Sequence, residues 1–532
     1  MSITSLQFIV FAFATIIVYY IVPKRFQWIV LLLANFAFYY SVGWKASLFV
    51  MFTAISVFIA AKLMNTLLIK QRAYISSHKD TISKEEKKAL KRKNQKCRKA
   101  IMLCALLLNI GILCVTKYAH FAVNQINSIF SLFGWININN GFNVIVPLGI
   151  SFYTFQTVGY LLDVYWEKIE PQNNFLKFLL FVSFFPQMTQ GPISDYESLS
   201  NELFAEHKFE YKNYAYGMQR LLWGFAKKLL VADVMSVYVS NLSHDYNSYT
   251  GITTLLGVFC YAIQIYADFS GYMDIMCGLC ETLGIRLKEN FDRPYFSKSI
   301  AEYWRRWHIT LGEWFKKYIY YPIGMSDWSR SIAKKTKQRF GTHFSNSLPA
   351  TIALLVVWTA TGLWHGASWG YIIWGLLNGA FIIFSLWMEP VYNIIKTKLH
   401  IKNDSRVYQG FQVVRTFILV ALIKILPEVG GLHNGLGLLK HIFTNFDIPS
   451  SLSSLFAFVS KSKTWFLIAL LGTAGMFTVS LIQEKCMARD VFNRLPYVVR
   501  IVVTSLFALF VLVVEGVASY SFGGGGFLYA GF

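Results

Sequence analysis

Long apolar runs alternate with short polar interruptions along nearly the whole chain. The runs repeatedly approach the ~20 residues that cross a hydrocarbon core as a helix. Spans are predicted at 6–22, 28–42, 46–69, 101–118, from near Val144, and at 214–239, 253–277, 349–363, 371–387, 411–426, 465–482 and 501–518. Backbone groups inside lipid must be satisfied within their own segment, so the spans are predicted to be helices. The fold class is therefore an all-α polytopic membrane protein with about 11–13 transmembrane helices.

The interruptions carry the orientation. Residues 70–99 are densely basic, and 120–143 contain no Lys, Arg, Asp or Glu. Cytoplasmic loops collect Lys and Arg, so the basic loops are expected inside and both termini outside. The first charges, Lys24 and Arg25, follow the first apolar run, which reads as a span and not as a cleaved leader. Residues 278–346 are expected on the cytoplasmic side as interfacial helices, given their Arg and aromatic content. Trp304 and His308 stand four apart there, a spacing that puts both on one face of a helix.

Composition sharpens the class. The 532 residues are 55% hydrophobic, 17% aromatic and 15% charged, with a net charge of +22. That excess lies in loops between spans, where positive-inside bias accounts for it, so nucleic acid is not implied. Anionic lipid heads or an anionic donor are the expected partners of the basic surface. Of the seven cysteines, Cys277 and Cys280 form a C-x-x-C with no second pair or His cluster beside it, so no metal site is expected.

Polar residues at bilayer depth are expensive and usually face a cavity. Thr361–Gly370 joins two apolar spans around one titratable side chain, His365. The span from near Val144 carries Ser151, Tyr153, Gln156 and Asp163. Phe184–Pro192, with Gln187, reads as a re-entrant break, and the 253–277 span carries Asp268, Ser270, Tyr272 and Asp274. Asp268 is expected to pair with a cation or accept hydrogen bonds. There is no G-x-S-x-G, P-loop or pair of His at metal spacing, which disfavours a serine hydrolase or an ATPase. A histidine acting as general base on a substrate hydroxyl in acyl transfer fits better. A transporter in which His365 gates protons is the other class considered. It lacks a visible internal repeat.

Seven stretches together resemble the membrane-bound O-acyltransferase family, in particular its alginate O-acetyltransferase branch. They are Pro147–Gln156, Phe184–Pro192, Tyr266–Tyr272, Asn290–Tyr295, Tyr303–Leu311, Tyr320–Pro322 and Thr361–Trp369. The resemblance implies a helical funnel open to the cytoplasm, with re-entrant and interfacial helices. Residues 1–400 would form the catalytic membrane core, and 401–532 would add C-terminal transmembrane helices that contact an outer partner. A cytoplasmic thioester, acetyl-CoA or an acyl carrier, would be the donor substrate, with no bound cofactor. The acceptor would be a hydroxyl on the way to a cell-surface polysaccharide, reached through an extracytoplasmic esterase-like partner, in a bacterial cytoplasmic membrane. His365 would be the base and His308 a second histidine on the funnel wall. Asp268, Gln187, Trp304, Trp364, Ser270 and Tyr272 would support or line the funnel. A carrier-dependent D-alanyl transferase of a cell-wall polymer shares this pattern. Two departures bear on the acceptor: Pro427–Gly431 replaces an aromatic-Arg pattern, and the chain ends Leu528–Phe532 without the usual aromatic ending.

Overall fold

A computed structural model describes residues 2–141, 146–448, 451–459 and 463–522. Among these, every extended regular element is helical, and the one isolated bridge pairs Phe291 with Trp307. Among the described residues, eight helices are long and apolar enough to cross a membrane. They are Trp44–Ser77, Lys84–Leu132, Gly251–Thr282, Asp327–His365, Trp369–Trp387, Arg406–Lys424, Lys463–Ile482 and Tyr497–Val517. The other four predicted spans correspond to helices that are shorter or more charged. Leu6–Ile21, Gln27–Val42 and Ile150–Tyr165 have 16 residues each. The fourth is a run from Tyr211 to His244 that carries buried lysines. The protein is a multi-pass, all-α membrane protein. Val144 and Leu528–Phe532 lie outside the described residues.

The chain divides into two compact units. One runs to Tyr214 and includes Cys280–Leu287; the other comprises Ala215–Leu279 and the chain from Lys288 onward.

In the first unit, the helix Lys84–Leu132 packs on Trp44–Ser77 and Ile150–Tyr165. It opens with a reciprocal cap: Glu86 N–H donates to Ser83 Oγ (3.1 Å), and Ser83 N–H to Glu86 Oε2 (3.0 Å). The basic stretch, expected as a solvated helix between spans, and half of the charge-free stretch, expected as an outer loop with an interfacial helix, thus join the span at 101–118 in one continuous helix. Arg98 is buried because two acceptors meet it, Glu167 Oε1 at 2.6 Å and the Tyr165 carbonyl at 2.8 Å. The same hydrogen bonds and charge hold the Glu167 carboxyl below its ordinary range.

Phe184–Ser194 is buried throughout and leaves helical geometry after Met188. Irregular buried backbone needs partners. Phe185 N–H donates to Asn35 Oδ1 (3.0 Å), whose amide donates to Ser183 Oγ (3.1 Å). Gly149, at φ +73°, lies so close that a Cβ there would stand 2.3 Å from the Met188 carbonyl oxygen. Only glycine combines that conformation with that approach.

In the second unit, Tyr211–Ala226 passes through a wide π-helical turn, Lys227–Ala232, into Asp233–His244. It crosses Gly251–Thr282 at glycine contacts: a Cβ on Gly224 would meet the Gly271 carbonyl oxygen at 2.6 Å. Small residues let membrane helices approach this closely. Asp327–His365 is bent where Gly341 adopts φ +79°, and it packs against Trp369–Trp387 over its final turns.

Candidate active site

All of the following site lies in the second unit. The helix Asp327–His365 ends at His365, where Gly366 turns to extended backbone. Ser368 then caps the next helix by accepting from Tyr371 N–H (3.4 Å). The tight connection leaves His365 only 3% exposed. Three aromatic rings surround its imidazole. Trp364 and Trp374 approach edge-on, with centroids at 4.9 and 4.8 Å, and Tyr371 lies nearly parallel at 6.2 Å and 17°.

His308 arrives from another direction. The helix Ile300–Arg306 stops before Trp307, and a new helix starts at Ile309. His308 sits between them at φ +49°, a left-handed conformation that costs a non-glycine residue energy. Trp304 and His308 therefore do not share a helical face, contrary to their spacing. The break is held by the bridge from Phe291 to Trp307, by Asp292 N–H donating to the Arg306 carbonyl (3.0 Å), and by Ile309 N–H donating to the Asn290 carbonyl (3.1 Å).

Asn290 Oδ1 accepts from Thr310 N–H (3.0 Å) and Thr310 Oγ1 (2.8 Å), so it is an acceptor. His308 Nδ1 stands 3.4 Å from the same oxygen, which places the ring proton on Nδ1. His308 Nε2 is left as the lone-pair nitrogen, buried, with no hydrogen-bond partner among the described residues. Burial pushes the His308 pKa down to about 3, so the ring is neutral at any physiological pH.

Trp364 joins the two histidines: its ring centroid is 5.8 Å from that of His308 and 4.9 Å from that of His365. Trp304 belongs to the same cluster. It packs edge-on against Trp374 (5.5 Å) and Trp358 (4.8 Å) and donates from Nε1 to Asn378 Oδ1 (2.9 Å).

The carboxylate candidates have another role. Asp268, 1% exposed, accepts from Lys228 Nζ at 2.8 Å, and Lys228 also reaches Asp233 at 2.7 Å. Ser270 accepts from Lys227 Nζ (2.9 Å), which pairs with Asp274 (2.6 Å); Arg220 continues to Asp274 and Glu289. The cation expected beside Asp268 is thus Lys228. Asp268 and Ser270 are committed to this network, while Phe269 between them touches His308 edge-on at 4.9 Å. Tyr272 is fully buried. Gln187 lies in the first unit, accepting from Gln156 Nε2 (2.6 Å) and donating to Ser194 Oγ (2.7 Å).

Tyr371, Trp374, Asn378 and Lys424 escaped the sequence reading, and Glu428 entered it only as part of the Pro427–Gly431 departure. Tyr371 Oη donates to Glu428 Oε1 (3.1 Å), and Lys424 sets its ammonium 3.2 Å from the Trp307 ring centroid. Burial pushes the Glu428 carboxyl up, opposed by the Tyr261 and Tyr371 hydroxyls and the Lys424 charge. The available signal was two ionisable residues four apart in an apolar run.

A polytopic helical protein that buries two histidines in one aromatic cluster fits the class of integral-membrane acyl-transfer enzymes. A family model described as the membrane-bound O-acyltransferase family matches residues 36–348, and the chain belongs to that family. It is 30% identical over 407 residues to the probable alginate O-acetylase AlgI of Pseudomonas aeruginosa, covering 76% of this chain and 67% of that protein. It is 30% identical over 325 residues to a peptidoglycan O-acetyltransferase of Helicobacter pylori, covering 56% and 57%. It is also 30% identical over 241 residues to a teichoic acid D-alanyltransferase of Bacillus subtilis, covering 44% and 58%. The chain spans about two thirds or less of the length of these curated relatives. Their names describe O-acetylation of alginate and of peptidoglycan, and D-alanylation of teichoic acid.

Proposed function

We propose that this protein transfers an acetyl group from a cytoplasmic thioester, acetyl-CoA, towards a hydroxyl acceptor for O-acetylation of a cell-surface polysaccharide. It would act in a bacterial cytoplasmic membrane, with an extracytoplasmic esterase-like protein receiving the group. The observation that carries this reading is the pair of buried histidines on one indole, Trp364, in a member of an acyltransferase family.

The chemistry assigns one role to each. His365 accepts the proton of the acceptor hydroxyl as its oxygen attacks the thioester carbonyl. The carbon–oxygen bond forms, the carbon–sulfur bond breaks, and the proton passes to the departing thiolate. The aromatic walls exclude water, which would otherwise hydrolyse the thioester. His308, neutral with Nε2 unprotonated, accepts a hydrogen bond from the donor or the acceptor and orients it.

The test uses the purified full chain in nanodiscs with radiolabelled acetyl-CoA, and mass spectrometry of the surface glycan with and without the protein. Label reaching the glycan only when His365 is intact supports the reading. Normal transfer by His365→Ala sinks it. A second reading, carrier-dependent D-alanyl transfer, draws on the likeness to the teichoic acid D-alanyltransferase. It requires an aminoacylated carrier protein to replace acetyl-CoA in the same assay.

A further inference from the structure

The segment after the helix Arg406–Lys424 is seated against the turn that follows His365. A Cβ on Gly370 would stand 2.9 Å from Pro427 Cα, so only a glycine lets the two backbones meet. That contact delivers Glu428 to Tyr371, whose hydroxyl donates to Glu428 Oε1 at 3.1 Å. Tyr371 is pinned at its other end too. Its ring lies on Gly366, where a Cβ would come 2.3 Å from Cδ2. Between these two anchors the ring runs nearly parallel to His365, 17° off plane.

A general base works only when its lone pair is aimed at the proton it takes, and a misplacement near 1 Å can cost about 100-fold in rate. The rings packed on the imidazole restrict how it turns about its side-chain bonds. Trp364 and Trp374 meet it edge-on, and Tyr371 lies nearly parallel to it with ring centroids 6.2 Å apart. Of these three, Tyr371 is the one tethered to a carboxylate.

We propose that Glu428 is a positioning residue of the acyl-transfer centre: it accepts the Tyr371 hydroxyl and thereby fixes the ring that sets the orientation of His365. This rests on the reading of His365 as the base. Glu428 touches neither donor nor acceptor, and it works as a hydrogen-bond acceptor rather than as a charge. A carboxamide in its place keeps an oxygen for the Tyr371 hydroxyl, whereas a methyl group does not.

The experiment compares Glu428→Gln, Glu428→Ala, Tyr371→Phe and the Glu428→Ala/Tyr371→Phe double variant, as full chains in nanodiscs. Glu428→Ala and Tyr371→Phe are each expected to lower kcat about tenfold with an unchanged donor KM. Glu428→Gln should stay within about twofold of the parent, and the double variant should be no slower than either single, as residues acting through one contact require. A second readout needs no turnover: the rate at which diethyl pyrocarbonate modifies His365, followed by peptide mass spectrometry. It should rise several-fold in Glu428→Ala and stay at the parent value in Glu428→Gln. Equal impairment of Gln and Ala variants, additive losses in the double variant, or an unchanged His365 modification rate in Glu428→Ala would each overturn the proposal. If the parent transfers no acyl group, the functional reading fails, and the modification rates alone decide the positioning role.

Discussion

Lys424 rests its ammonium on the face of the Trp307 indole, 3.2 Å from the ring centroid, and is only 5% exposed. A desolvated contact of this kind contributes about 2 kcal/mol. Burying the charge costs a similar amount or more, so the net value of the lysine is small. Lys424→Met, which keeps the volume and drops the charge, is expected to change unfolding free energy by less than about 1 kcal/mol. Glu428→Ala leaves the part-buried Tyr371 hydroxyl without this acceptor and should cost about 1–3 kcal/mol. Thermal unfolding of the two variants in one detergent checks the order.

His365 and His308 should separate by severity. Removing a general base typically costs a factor of about 100 to 10,000, so His365→Ala should lose transfer to that extent while unfolding near the parent temperature. His308→Ala should fall less, because His308 orients a substrate in this scheme and does not take its proton. Transfer rates at saturating donor, taken with melting temperatures, test the ranking.

The burial of His308 predicts a pH dependence of stability. Its folded pKa, about 3, lies below the ordinary value of 6.5, so between those values the unfolded chain binds a proton that the folded chain excludes. Stability is therefore full above about pH 6.5 and falls as the pH drops towards 3, by up to about 1.4 kcal/mol per unit from this one group. His308→Gln should flatten the fall in that window. Chemical unfolding at pH 4.5 and pH 7.5 gives the comparison.

Asp268 predicts a loss of stability. Both it and Lys228 are 1% exposed. Breaking a buried pair by removing one partner costs about 3–5 kcal/mol, because the other charge stays in place. Lys228 keeps Asp233 as a second partner at 2.7 Å, so Asp268→Ala should lose less than that, about 1–3 kcal/mol, and Asp268→Asn less again. Lys228→Met combined with Asp268→Asn should recover none of it, because Asp233 is then left without its lysine. Expression level and thermal midpoint report all three.

Gly375 predicts a packing defect at a distance from the chemistry. A Cβ there would stand 2.5 Å from the Trp358 carbonyl oxygen and 3.0 Å from Gly362 backbone atoms. Gly375→Ala must push the helix Trp369–Trp387 away from the one that ends at His365, at a cost of about 1–3 kcal/mol. A fall in kcat beyond what the lost stability accounts for would show that the spacing of these two helices also aims the histidine.

The apolar runs made the helical membrane class readable, because length and hydropathy are local properties. The burial of His365 between two spans was readable for a related reason, since a single ionisable side chain at that depth is expected to be enclosed. The extent of the helices was not. Residues 84–132 form one helix that joins the Lys-rich stretch to a span, where separate pieces were expected. The helix break at His308 depends on pairing with Asn290–Asp292, which helical spacing cannot express. Lys424 and Glu428 were invisible as site residues because the site draws them in from a segment more than fifty residues beyond His365. Asp268 was correctly read as needing a cation, yet which cation depended on how the chain turns at 227–232.

That wide turn fixes the phase of everything after it. A π-helical turn holds one residue more than an α-helical turn, so it behaves as a one-residue insertion absorbed into a continuous helix. At ~100° per residue, deleting one position within Lys227–Ala232 would rotate the following helix by nearly a third of a turn relative to the preceding one. Tyr238 would leave its edge-on contact with Phe466, and Asp233 would swing away from Lys228. The irregular turn is a registration mark: two consecutive lysines within it serve carboxylates six residues apart on the facing helix.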